Sequence, residues 1–163
     1  MPLQWIPLGD IGRGLDDSFI SNTHAIDTAS LGGSRGRRQT DRVLDTSPTL
    51  RLHYDRLASQ PQDRQARVLS FFNDMDAALD QICQNVAHGA PMLWTVGDRS
   101  VGGERIPLGT VITQLLGRRA EFVTQLSRTI PAGSKRMPAR NALTGTMASE
   151  TIQILRRTSE DSR

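Results

Sequence analysis

Pro91-Met92-Leu93-Trp94-Thr95-Val96-Gly97 is the stretch on which the fold assignment turns. Its continuous apolar run is short, rich in β-formers and closed by a glycine, which reads as a buried strand. Immediately before it, from Pro61 to His88, apolar residues recur at helical spacing: Leu69, Phe72, Met75, Leu79, Ile82 and Val86 step by three or four. They share one helix face, with Asp63, Arg64, Asp74, Asp80 and Gln84 largely off it. Ser59 is the candidate N-cap, Pro61 suits the first turn, and Gly89 is the candidate stop. A helix feeding a continuous apolar strand is half of a parallel α/β unit.

Beyond Val96 the pattern continues. Gly97 to Gly103 reads as a loop. Pro107 to Arg118 reads as a helix with Val111, Ile112, Leu115 and Leu116 inward, and Glu121 to Ile130 as a strand. A long Gly-, Pro- and Arg-rich connection leads to a last strand over Glu150 to Arg157, with Ile152 and Ile154 on one side and Leu155 on the other. The order is helix, strand, helix, strand, long loop, strand. Residues 1–58 have the poorest pattern, since Gly9, Gly12, Gly14, Gly32, Gly33 and Gly36 interrupt every apolar run. They are expected to be irregular. Residues 59–157 then carry the α/β part and 158–163 form a polar tail.

Composition removes whole classes. The 163 residues are 37% apolar and 23% charged, with mean hydropathy −0.39, which is globular rather than disordered. No apolar run approaches the ~20 residues of a membrane helix, and no basic-then-apolar leader opens the chain, so a cytoplasmic protein is expected. Cys83 is the single cysteine, which excludes an internal disulfide framework and a Cys-rich zinc site. Aromatics make up 4%, too few for stacking platforms that hold single-stranded nucleic acid.

Of the 20 basic residues all but Lys135 are arginine, the side chain best suited to bidentate phosphate recognition. A GC-rich genome would write the same bias. Two clusters matter more. Arg35, Arg37 and Arg38 lie in a Gly/Ser-rich stretch, and Arg128, Lys135, Arg136 and Arg140 lie between the last two strands with no acid among them. Both suit loops that press on phosphates, with a solvated connection as the alternative reading of each. The three histidines share no metal-ligand spacing, and His88 reads as a cap on the helix dipole. Asp74, Asp76 and Asp80 read as a solvated helix face. No nucleophile elbow, phosphate-cradling loop or dinucleotide fingerprint is present.

Four ordered pieces nevertheless resemble a known family. They are Phe71-Phe72-Asn73-Asp74-Met75; Trp94-Thr95-Val96-Gly97-Asp98-Arg99-Ser100-Val101-Gly102-Gly103 leading to Ile106-Pro107; Ile130-Pro131 followed by Lys135-Arg136-Met137-Pro138-Ala139-Arg140-Asn141; and Met147 followed by Glu150-Thr151-Ile152-Gln153-Ile154-Leu155-Arg156. From about Pro61 to Arg157 they are similar to the C-terminal half of an S-adenosylmethionine-dependent DNA amino-methyltransferase, an enzyme of adenine or cytosine exocyclic amines. Ile26 to Gly33 resembles, more weakly, an insertion that such enzymes carry before the long helix.

The resemblance implies a partial doubly wound, Rossmann-like α/β sheet whose last strand is inserted antiparallel. Gly97, Asp98 and Arg99 then face the active site from the carboxyl end of a strand, where such sheets place their ligands. Arg35, Arg37, Arg38, Arg128, Lys135, Arg136, Arg140 and Asn141 become candidate contacts to double-stranded DNA while a base is flipped out. The family's F-x-G-x-G cofactor loop and its D/N/S-P-P-Y/F/W motif are both missing; Ser47-Pro48-Thr49-Leu50 matches only two letters of the latter. No catalytic residue and no metal ligand is therefore assigned. The implied enzyme is split: a complementary chain supplies the missing motifs, and S-adenosylmethionine binds only to the pair. The alternative is a non-catalytic DNA-binding or target-recognition accessory, or a truncated inactive remnant.

Overall fold

The computed structural model describes residues 40–130 and 149–158. Two helices open it, α1 (Arg42–Thr46) and α2 (Pro48–Arg56), followed by a 3₁₀ turn at Leu57–Ser59. The irregular N-terminal segment expected over residues 1–58 is thus helical from Arg42 onward. Ser47 explains the break between the helices. Its hydroxyl accepts from the Leu50 amide, and Pro48 occupies the first turn where no donor is lost. Val43, Leu44, Leu50 and Leu57 are buried in the same core as the later elements, so the core runs across the expected division at residue 58.

α3 (Gln62–Asn85) is the long helix of the sequence pattern. Pro61, not Ser59, stands at its N-cap position, with no side-chain cap, while Ser59 lies in the preceding 3₁₀ turn. Val68, Leu69, Phe72, Leu79 and Cys83 face the core, Met75 and Val86 pack partly against it, and Ile82 is left 38% exposed. The helix stops before His88, whose Nδ1 pairs with the Thr158 carbonyl at 2.9 Å instead of capping a last turn. β1 (Pro91–Val96) follows.

The expected loop at 97–103 is a hairpin. β2 (Arg99–Val101) pairs with β3 (Glu104–Ile106), and Gly102 and Gly103 adopt φ of +58° and +87° in the two-residue turn. Both central positions of such a turn need positive φ, which glycine adopts without a Cβ penalty. α4 (Leu108–Leu116) buries Val111, Ile112, Leu115 and Leu116 as its spacing predicts, and a 3₁₀ turn leads into β4 (Ala120–Thr129). The last element is β5 (Ser149–Arg157).

The three-stranded sheet has the order β1-β5-β4, with β5 antiparallel to both neighbours. β1 and β4 therefore run parallel to one another, and the inserted antiparallel last strand agrees with the resemblance. Register and alternation divide the sheet into two faces. One carries Met92, Trp94, Gln153 and Leu155 and is covered by α3 and α4. Contact with α4 is close: a Cβ at Gly109 would stand 2.9 Å from Gln153 Nε2, so that position has no room for a side chain. Contact with α3 goes through Arg157, buried at 8% exposure, whose Nε donates to the Cys83 carbonyl at 2.9 Å. Its Nη1 donates to the Arg119 carbonyl at 2.9 Å. The opposite face carries Leu93, Leu126, Ile152 and Ile154, and among the described residues nothing covers it: Leu93 is 65% and Leu126 56% exposed.

The Arg157 fork joins the end of α3 to the turn before β4, and lysine has no second arm to do both. Arg157→Lys is expected to lower unfolding stability by about 1–3 kcal/mol in urea titrations, the cost of leaving buried carbonyls unpaired. An unchanged midpoint would remove Arg157 from the framework.

Candidate nucleic-acid interface

Because β1 and β4 are parallel, their carboxyl ends lie on one end of the sheet, together with the start of β5. Val96, Gly97 and Asp98 leave β1 there, Thr129 and Ile130 leave β4, and Ser149 and Glu150 enter β5. The Gly97–Ile106 segment folds back on the helices. Glu104 of β3 is paired with His53 Nδ1 and, at 3.1 Å, with Arg56 Nη1, both from α2. At the hairpin tip, a Cβ on Gly102 would fall 2.7 Å from Arg64 Nη1 of α3, so the glycine also permits this approach. Asp98 holds Arg105 at 2.7 Å across the hairpin.

Of the residues expected to face an active site, Gly97 and Asp98 do stand at the carboxyl end of β1, and Arg99 pairs through its backbone with Ile106. Asp98 is spent on Arg105, however, rather than free. Of the expected DNA contacts, Arg128 reaches solvent with a side chain 69% exposed, and Glu150 anchors it at 2.7 Å. Arg35, Arg37, Arg38, Lys135, Arg136, Arg140 and Asn141 lie outside the described residues, as do Ile26 to Gly33. The structure adds two arginines around the hairpin that leaves this end, Arg105 on it and Arg56 of α2 against it, which sequence reasoning missed, with side chains 66% and 55% exposed. Neither sits in an Arg-rich run. Only recognition of Gly102-Gly103 as a hairpin turn would have drawn Arg105 toward Asp98.

Electrostatically the arrangement repeats: an exposed guanidinium is anchored by a carboxylate that is itself partly buried. The hydrogen bond from His53 and then that from Arg56 hold the Glu104 carboxyl below its ordinary value of 4.5. Such paired arginines keep outward-facing N–H donors for a polyanion while neutralising the site in its absence. Catalytic chemistry is another matter. Ser47, fully buried, donates its hydroxyl to Gln114 Oε1 at 2.6 Å, so the two motif letters Ser47-Pro48 cap a helix and face no substrate. Burial pushes the Cys83 thiol up, away from a reactive thiolate. Asp76 and Asp80 clamp Arg119 at 2.7 and 3.2 Å, which corrects their reading as a simply solvated face. They border a polar cavity of about 270 Å³ with Thr40, Arg42 and Asn73, beside the start of β4 and so away from the end just described.

Among the described residues no cluster of His, Cys, Asp or Glu is arranged to hold a metal, and no helix is long and apolar enough to cross a membrane. At the carboxyl end of the sheet the ribose hydroxyls and ammonium of S-adenosylmethionine would meet Asp98 and Glu104 already paired, with Arg105 and with Arg56.

Comparison with known proteins agrees with a methyltransferase relationship. The chain is 27% identical over 164 residues to the type II methyltransferase M.MvaI of Kocuria varians, a match covering 94% of this chain and 34% of that protein. The chain thus spans about a third of the length of the curated relative it matches. No family model matches it, and no solved structure does so either.

The Glu104 cluster has a pH signature. A carboxyl whose folded pKa is lowered contributes stability that is complete above its unfolded value and is lost as pH falls through the folded one. The stability advantage of the native chain over Glu104→Gln is therefore expected to be full above pH 4.5 and to vanish as the pH drops below it. Urea midpoints for both proteins across that interval check this, and a pH-independent difference would contradict it.

Proposed function

We propose that this chain is the C-terminal part or subunit of a DNA amino-methyltransferase. It contributes DNA contacts and half of the catalytic fold to methyl transfer from S-adenosylmethionine to an exocyclic amine of adenine or cytosine in double-stranded DNA. The similarity to a type II methyltransferase over 94% of the chain carries this reading. The inserted antiparallel β5 supports it, since the resembling family's partial Rossmann-like sheet ends in that way. The absence of the cofactor and catalytic motifs, together with the capping role of Ser47, supports assigning those functions to a complementary chain. S-adenosylmethionine would bind to the pair alone, in a cytoplasmic restriction-modification setting.

In this reading the chain's own groups bind and orient. Arg128, Arg56 and Arg105 offer guanidinium donors to phosphates from the carboxyl end of the sheet, and Glu150, Glu104 and Asp98 hold them in place. The cationic segments 35–38 and 135–141 add to the same electrostatic attraction. A second reading, favoured by the burial of Ser47, is a non-catalytic DNA-binding accessory or an inactive remnant.

Transfer of labelled methyl groups from S-adenosylmethionine to plasmid DNA separates the two. The chain alone is expected to give none, and activity is expected on mixing with the co-encoded chain that carries F-x-G-x-G and D/N/S-P-P-Y/F/W. Robust single-chain activity would contradict the split enzyme. Steeply salt-dependent DNA binding with no transfer under either condition would favour the accessory.

A further inference from the structure

The two edges of the sheet differ in kind. β4 is protected: it carries Glu121 and Arg128, and the pairing slips at Val123 between Phe122 and Thr124, a bulge. Charges and bulges are the usual devices that stop a strand from pairing with another. β1 has none of them. Pro91-Met92-Leu93-Trp94-Thr95-Val96 is uncharged, pairs with β5 without a register shift, and has no strand on its other side among the described residues. Its outward face, Leu93, continues onto Ile154, Ile152 and Leu126, so an open backbone edge adjoins the bare apolar face.

Handedness fixes what that edge accepts. From β1 the chain crosses through α4 to the parallel strand β4, and α4 lies over the Gln153 face. α3, which leads into β1, lies over the same face, tied there by Arg157 and Cys83. Parallel crossovers are right-handed in about 98% of cases. Two successive right-handed crossovers with helices on one face must step across the sheet in one direction. The strand that belongs before α3 therefore lies on the outer side of β1, parallel to it. In this chain residues 42–56 before α3 are helical, and that place is left vacant by the described residues.

We propose that the outer edge of β1 is a docking surface for a parallel strand of the complementary methyltransferase chain, whose adjoining apolar segment covers Leu93, Leu126, Ile152 and Ile154. This rests on the split-enzyme reading. The occupant is chosen because the curated relative, matched along nearly all of this chain, is about three times its span and so contains the polypeptide needed. A second copy fits less well, since pairing β1 with β1 would join two bare apolar faces into a larger one and cover neither.

Amide hydrogen exchange tests this on the full chain. Alone, the outward amides of Pro91–Val96 are expected to exchange fast at every protein concentration. Addition of the co-encoded chain carrying the two missing motifs is expected to slow them at least tenfold. Leu93→Arg and Leu126→Arg, both at exposed positions, are expected to weaken association at least tenfold while leaving the far-ultraviolet circular dichroism unchanged. Slow exchange in the monomer means that the chain's own remaining residues fill the edge, and protection that rises with concentration means a second copy; either overturns the proposal. So does unchanged β1 exchange in a mixture, and so does the absence of such a co-encoded chain. Methyl transfer is measured in parallel: a mixture that methylates DNA while β1 stays open rejects the docking surface and leaves the split enzyme standing.

Discussion

The sheet and the loops at its end depend on β5 lying between β1 and β4. A strand that runs antiparallel to both neighbours makes those neighbours parallel, and it thereby gathers two carboxyl ends, with their loops, at one end of the sheet. The same insertion puts Leu155 and Gln153 in the middle of the covered face, under α4, and brings Arg157 to the end of α3. The buried guanidinium is tolerated because three carbonyls, those of Cys83, Arg119 and Thr158, accept from it. A charged side chain thus closes a core that is otherwise mostly apolar.

The acidic residues do structural work that their composition conceals. Glu104 fixes the hairpin to α2, Asp98 fixes Arg105, Glu150 fixes Arg128, and Asp76 with Asp80 fixes Arg119. A carboxylate beside a guanidinium is a weaker base, and of the arginines so held Arg56, Arg105 and Arg128 stay more than half exposed while Arg119 does not. Among the described residues the exposed arginines keep donors for an anion, while the carboxylates beside them are engaged. That imbalance is what the proposed division between two chains explains.

Much of the α/β part was legible because its periodicity is strong. Val111, Ile112, Leu115 and Leu116 announce α4, and the run Met92 to Val96 announces β1. Other elements were hidden for identifiable reasons. α1 has only five residues and α2 buries only Leu50, so neither shows an apolar stripe, and their one clear marker, the Ser47-Pro48 cap, also matches two letters of a motif. Gly97 to Gly103 reads as a loop in the sequence, whereas Gly102-Gly103 encodes a two-residue hairpin turn. The apolar residues of β4 announced a strand, yet Leu126 is 56% exposed on the bare face, because a strand pattern does not say which face the chain itself will cover. The site was less legible than the fold. Ion pairs such as Arg119 with Asp76, or Arg56 with Glu104, join residues far apart in sequence, and no spacing rule anticipates them.

The most direct check on this account is the strand order in solution. Cross-strand nuclear Overhauser contacts from a uniformly labelled chain are expected to link Leu93 with Ile154 and Leu126 with Ile152, with none joining the backbones of β1 and β4 directly. Direct contacts between β1 and β4, with β5 at an edge, would contradict it. They would remove the inserted antiparallel strand, and with it the likeness of this sheet to that of a methyltransferase.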